Sequence, residues 1–262
     1  MRFGISTASM YPQLTEDTFR LYGEWGIDCA EVFLNTLSEL EPSYLRMLAG
    51  IARDSGVKVV SVHPFTCAFE PFMLFTGYDR RFRDALEWHR RYFDGMNQLG
   101  AEIFVFHGDR AQGTLPEEEY FARFAALRDL GREYGVTVAQ ENVERCRSRS
   151  LPFLLRMRDY LQGDLALVFD NKQAIRSGVD GEEFIRVLGR EICHVHLSDH
   201  NQEKDCLPIG VGEMDTGKLL GLLEESGFQG AVVEELYRES YSSPQELREG
   251  YENLQKFGKK LA

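Results

Sequence analysis

Short β-type runs alternate with longer helix-period runs eight times along this chain, at a pitch of roughly 33 residues. The expected strands are Arg2–Ser6, Cys29–Leu34, Lys58–His63, Ile103–His107, Thr137–Glu141, Ala166–Asp170, Cys193–Leu197 and Ala231–Leu236. The expected helices are Thr15–Trp25, Pro42–Asp54, Arg80–Leu99, Pro116–Tyr134, Leu151–Leu161, Gly181–Leu188, Thr216–Glu225 and Pro244–Lys260. Long helical connections between successive strands require those strands to run parallel, and their nearly continuous apolar character suits burial on both faces. Apolar spacing of three and four marks the helices, as in Phe121, Phe124, Ala125, Leu127 and Leu130. Glycines at helix ends (Gly26, Gly56, Gly100, Gly135, Gly227) return the chain to five of the strands. First-turn prolines are expected at Pro42, Pro116, Pro152 and Pro244.

Eight βα units fit a closed parallel barrel, a (β/α)8 TIM barrel, better than an open doubly wound sheet. The open sheet would want a glycine-rich phosphate loop after a strand, and GVGEMD (210–215) does not match one. No linker, low-complexity stretch or charge block divides the 262 residues, so one domain over 1–262 is expected. The longest irregular segments, Pro64–Tyr78 and Ser198–Asp215, are expected to line the site.

Composition narrows the class of partner. The net charge is −12 and there is no Lys/Arg run, which argues against nucleic-acid binding, where affinity comes largely from neutralising phosphates. No stretch of about 18 apolar residues is present to span a membrane. Five scattered cysteines (Cys29, Cys67, Cys146, Cys193, Cys206), without a Cys-x-x-Cys pair, suit a reduced compartment. The N-terminus does not read as a signal peptide, and a cytoplasmic location is expected. The partners expected are a small carbohydrate and, at most, further copies of this chain.

Six strands end in groups that bind metals or move protons: His63, His107, Glu141, Asp170, His196, and Glu234 or Glu235. Barrel active sites lie at the C-terminal ends of the strands, so these groups should share one pocket. Any one of them alone reads equally well as a hydrogen-bonded structural residue. Together, Glu141, Asp170, His196 and a glutamate of the last strand form an oxygen-rich set suited to one divalent metal. Mn²⁺ fits best, and Mg²⁺, Co²⁺ or Zn²⁺ can be accommodated. Neighbours on a strand point to opposite faces, and counting from Gly230 places Glu235 inward and Glu234 toward the helix layer.

The chain resembles the xylose-isomerase-like TIM barrels, which include tagatose 3-epimerase, hydroxypyruvate isomerase, inosose dehydratase and endonuclease IV. The matching stretches are SVHPF, LGAEIFVFHGD, VAQEN, VFDNKQA, HVHLSDHN with PIGVGEMD, and GAVVEELY. The resemblance implies a metal held by Glu141, Asp170, His196 and Glu235, with Glu141 and Glu235 as the catalytic proton carriers. It also implies substrate contacts from His63, His107 and Gln173. It points to a metal-dependent sugar isomerase or epimerase working through an enediolate. A dehydratase on the same scaffold and a non-catalytic carbohydrate-binding barrel are the alternatives.

Gln173 is a departure, because the family motif there is Asp-x-x-His. A glutamine hydrogen-bonds a hydroxyl but neither shuttles protons near neutrality nor binds transition metals well. The change argues against a trinuclear zinc nuclease, as does Lys204-Asp-Cys-Leu-Pro where the nuclease has Asp-x-His. Glu31 reads as a group orienting His63 or another ligand, or as a structural ion-pair partner. Phe65, Phe69, Phe72 and Phe75 read as loop packing before an apolar wall for a sugar. Arg145, Arg147 and Lys172 lie near the ends of the fifth and sixth strands, where they could bind a substrate phosphate or carboxylate, but read first as solvated surface charges.

Overall fold

The computed structural model describes residues 1–260. Strands β1 (Arg2–Ser6), β2 (Cys29–Leu34), β3 (Lys58–Pro64), β4 (Ile103–Phe106), β5 (Thr137–Glu141), β6 (Leu167–Asp170), β7 (Ile192–Leu197) and β8 (Ala231–Glu234) pair in sequence order. All are parallel, and β8 closes on β1, giving an eight-stranded (β/α)8 barrel.

Four helices match their expected limits: Thr15–Trp25, Pro42–Asp54, Gly181–Leu188 and Thr216–Glu225. The others, Asp79–Leu99, Glu117–Glu133, Leu151–Tyr160 and Pro244–Lys259, begin or end one residue away from expectation. The five glycines at helix ends take left-handed backbone angles, with φ from 70° at Gly26 to 87° at Gly227. A side chain would be strained there, so glycine sets where each helix stops. At helix starts, Ser150, Asp170, Asp180 and Asp215 each accept a hydrogen bond from a first-turn amide. Pro116 precedes its helix, whereas Pro42, Pro152 and Pro244 lie in first turns.

Most of the core fills the space between barrel and helices, where Phe104, Phe106, Phe124, Tyr92 and Tyr120 are fully or almost fully buried. The barrel interior is layered differently. Toward its N-terminal end Cys29, Val60, Ala231 and Val233 pack together, while buried polar groups stand above them. Two loops hold unexpected short helices. Glu70–Met73 interrupts the segment after β3, and Asn171–Arg176 follows β6 directly. The segment after β7 stays irregular and is tied down by Asp199, whose carboxylate accepts from the backbone amides of Gly210, Gly212 and Met214.

Candidate metal centre

β5, β6, β7 and the residue after β8 bring Glu141, Asp170, His196 and Glu235 together, with ligand atoms all within 4.8 Å of one another. His196 Nδ1 faces Glu141 Oε1 at 3.3 Å, Glu235 Oε2 at 3.5 Å and Asp170 Oδ2 at 4.0 Å. The last strand ends at Glu234, yet the Glu235 amide still bonds Leu197 O, so Glu235 keeps its inward direction. Glu234 points the other way. It is fully buried beside Gly250 of the last helix and accepts from the Ile209 amide at 2.9 Å.

Beneath this cluster lies Glu31, whose carboxylate binds both histidines of β7. Its Oε2 is 3.0 Å from His196 Nε2, 3.1 Å from His194 Nε2 and 2.8 Å from Ser61 Oγ, and its Oε1 accepts from Ser6. Burial alone would raise the Glu31 pKa, but the two imidazoles outweigh it and hold the carboxyl well below its usual range. Burial would lower the His196 pKa, but Glu31 and Glu235 outweigh it and raise it well above its usual range. With Nε2 held by Glu31, Nδ1 is the nitrogen facing the three carboxylates, and their convergence on one point calls for a cation.

Two further observations fit a divalent ion. Glu141 Oε2 and Asp170 Oδ2 are buried without an aligned hydrogen bond. Burial, with Glu141 and Glu235 nearby, pushes Asp170 up to about 6 despite the pull of Lys172. Oxygen-rich ligation with one imidazole suits the harder first-row cations. Asp170 Oδ2 faces Lys172 Nζ at 3.2 Å and Glu141 Oε2 faces His107 Nε2 at 2.7 Å, and an ion would complete what these contacts leave unmade.

Side-chain amides brace the ligands. Asn142 accepts from the Asp170 amide (2.7 Å) and donates to the Asp170 carbonyl (2.9 Å). Asn171 does the same for Ser198, accepting from its amide (2.9 Å) and donating to its carbonyl (2.8 Å).

A pocket of about 470 Å³ opens above the cluster, within the size range of small-molecule sites. Its lining includes His63, His107, Glu141, Lys172, Gln173 and Glu235. Arg145 Nη2 lies 3.1 Å from His107 Nδ1, while His107 Nε2 lies 2.7 Å from Glu141 Oε2 and 2.9 Å from His63 Nε2. Burial lowers His63 to about 4, keeping it neutral. Gln173 is at the pocket wall, but its Oε1 accepts from the Glu144 amide, leaving the amide nitrogen for a ligand.

Lys172 corrects the sequence reading. It is not a solvated surface charge: it is 2% exposed, with Nζ 3.2 Å from Asp170 Oδ2 and 3.1 Å from Glu235 Oε2. Arg145 is exposed at the pocket rim, and Arg147 turns away to bond Leu115 O and stack on Phe153. Of the phenylalanines after β3, Phe75 is buried and stacks on Tyr120 and Phe65 packs near Tyr92, whereas Phe69 and Phe72 are about half exposed, Phe72 lying under Arg110. The aromatic wall comes instead from Tyr11, Phe33 and Tyr237. His194 is a further buried member of the site, signalled by period-two alternation in ICHVHL, which puts it on the same face as His196.

The family profile described as xylose isomerase-like TIM barrel matches residues 19–257. The chain belongs to that family. An uncharacterized protein of Mycobacterium leprae is 26% identical over 278 aligned positions, covering 94% of this chain and 92% of the relative. Among solved structures, a D-tagatose 3-epimerase-like protein superposes with a TM-score of 0.79 at 21% identity, covering 100% of this chain and 98% of the other. An IOLI protein with a bound zinc atom superposes with a TM-score of 0.76 at 19% identity, again covering 100% and 98%. At such identities these two neighbours establish the fold of this family member. Among its described residues no helix is long and apolar enough to cross a membrane.

Proposed function

We propose that the protein is a divalent-metal-dependent isomerase or epimerase of a small sugar or sugar derivative. The observation that carries this reading is the convergence of Glu141, Asp170, His196 Nδ1 and Glu235 at the floor of the pocket. Structural likeness to a D-tagatose 3-epimerase-like protein and to a zinc-binding protein supports it.

In this reading the four residues hold the ion. When bound, it would polarise a substrate carbonyl and its neighbouring hydroxyl, making the carbon-bound proton between them more acidic. Glu141 and Glu235 reach the pocket from β5 and β8, so they approach a substrate from different sides. Glu141 is held ionised because His107 and His196 outweigh the effect of burial, which suits a proton acceptor. Glu235 is likewise kept low, its burial outweighed by His196 and Lys172. One carboxylate takes the carbon-bound proton and the other returns one on the opposite face. That inverts the carbon, whereas return by the same group to the adjacent carbon isomerises the sugar. His63, His107 and the Gln173 amide hold the substrate hydroxyls, and Tyr11, Phe33 and Tyr237 shield the ring from water.

The test is incubation of the Mn²⁺-loaded protein with ketopentoses and ketohexoses in deuterated water, followed by NMR. The expected result is metal-dependent deuterium incorporation at one carbon next to the carbonyl. Absence of exchange across the panel with full metal occupancy overturns the reading.

A further inference from the structure

We infer that Lys172 is a built-in counter-ion that competes with the divalent metal for Asp170 and Glu235, and so sets how tightly this centre holds its ion. The inference rests on the metal-binding part of the proposed function.

The ammonium does not merely lie nearby. The two atoms it contacts, Asp170 Oδ2 (3.2 Å) and Glu235 Oε2 (3.1 Å), are the same two atoms that face His196 Nδ1. An ion at the centre and the ammonium therefore draw on one pair of oxygens. The lysine reaches this place because Asp170 caps the helix that follows it, accepting from the Gln173 amide, and Lys172 lies in that first turn.

The ammonium is also held from behind. The Tyr237 ring centroid is 4.8 Å from Nζ. Tyr237 is fixed in turn by Arg176, which donates to its hydroxyl at 2.8 Å and pairs with Asp205. A buried, aromatic-backed lysine pointing at two carboxylates is costly to desolvate unless its charge is used.

Charge balance gives the reason for the arrangement. Glu141, Asp170 and Glu235 face the centre with three negative charges, Glu31 adds a fourth beneath His196, and Lys172 offsets one. Without the lysine, the carboxylates would attract that ion more strongly, because Coulomb energies at these separations are large in a site shielded from water. In the metal-free protein the ammonium compensates two of the carboxylates. When the ion takes Oδ2 and Oε2, the flexible four-carbon stem can carry the ammonium into the pocket that Lys172 already lines.

The experiment is titration of the metal-free full-length protein with Mn²⁺, followed by calorimetry and by the electron-spin signal of free Mn²⁺. Wild type is compared with Lys172→Met and Lys172→Arg, with thermal melts run alongside. Lys172→Met is expected to bind Mn²⁺ about tenfold more tightly or better, and Lys172→Arg to stay near wild type. The metal-free Met variant should melt below wild type and recover when Mn²⁺ is added. Unchanged or weaker Mn²⁺ binding by Lys172→Met overturns the inference. So does a Met variant that stays unfolded with and without Mn²⁺, because the ion cannot then replace the ammonium. Equal tightening by Lys172→Arg points to loosened packing rather than charge and also overturns it. No binding by any of the three forms removes the metal reading as well, whereas a failed ketose panel beside a tightened Met variant removes only the proposed reaction.

Discussion

Glu31 on β2 and His196 on β7 meet inside the barrel, with Oε2 of the glutamate 3.0 Å from Nε2 of the imidazole. The contact holds Nε2 and turns Nδ1 toward Glu141, Asp170 and Glu235. Glu31→Gln removes the charge that holds this ring orientation. Its affinity for Mn²⁺ should fall by about 10- to 100-fold, as for other groups that orient a ligand. A Mn²⁺ titration that matches wild type would show that His196 is oriented by something else.

Glu141 joins two sets of groups, with Oε1 toward His196 and Oε2 toward His107 at 2.7 Å. Glu141→Gln keeps the shape and removes the base. Deuterium exchange into the substrate should drop by about 10²- to 10⁴-fold, while metal binding is only weakened. Persistent exchange in the variant would assign the proton transfer to another residue.

Glu234 offers a pH signature away from the pocket. Burial raises its pKa from 4.5 to about 8 in the fold. Between those values the folded state holds a proton that the unfolded chain has released. Stability is therefore fully present below about 4.5 and declines as pH rises through 8, at up to about 1.4 kcal/mol per pH unit. Glu234→Gln imitates the protonated side chain. It should be more stable than wild type at pH 9 and equal to it near pH 4. Denaturant unfolding at the two pH values checks this, and parallel curves across the range would contradict it.

His89 gives the opposite slope. Buried in the helix Asp79–Leu99, with Nδ1 2.7 Å from Ala85 O, it drops from 6.5 to about 4 because burial outweighs that hydrogen bond. The unfolded chain takes up the proton first as pH falls. The stability His89 contributes is thus present above 6.5 and lost toward pH 4, by about 3 kcal/mol at most. His89→Leu should flatten that acid limb in melting temperatures recorded from pH 7 to pH 4.

The barrel was legible in the sequence because its two periods, its left-handed glycines and its first-turn prolines are local signals. Positions on strand ends were legible for the same reason, although alternation says only that one of Glu234 and Glu235 points inward, and it is the count from Gly230 that favours Glu235. Lys172 was not. It sits past the end of β6, where the chain has already turned into a helix, so strand alternation does not apply to it. Its burial depends on Tyr237 and Glu235, more than sixty residues away. For Glu31 the sequence supports an orienting or an ion-paired role equally, and its pairing with His196 rather than His63 depends on how β2 and β7 face each other in the closed barrel. His194 is legible in ICHVHL, where alternation sets it on the same face as His196.

The paired hydrogen bonds from Asn142 and Asn171 have a practical meaning for anyone rebuilding this scaffold. Each amide behaves as one more rung of backbone, stitching the end of a strand to its neighbour after the ladder has stopped. The mouth of the barrel is therefore tied at Asp170 and Ser198 by side chains rather than by the ladder. Rebuilding the loops beyond these points to change what enters has to keep both asparagines, and after β6 also Lys172 and Gln173, which line the pocket.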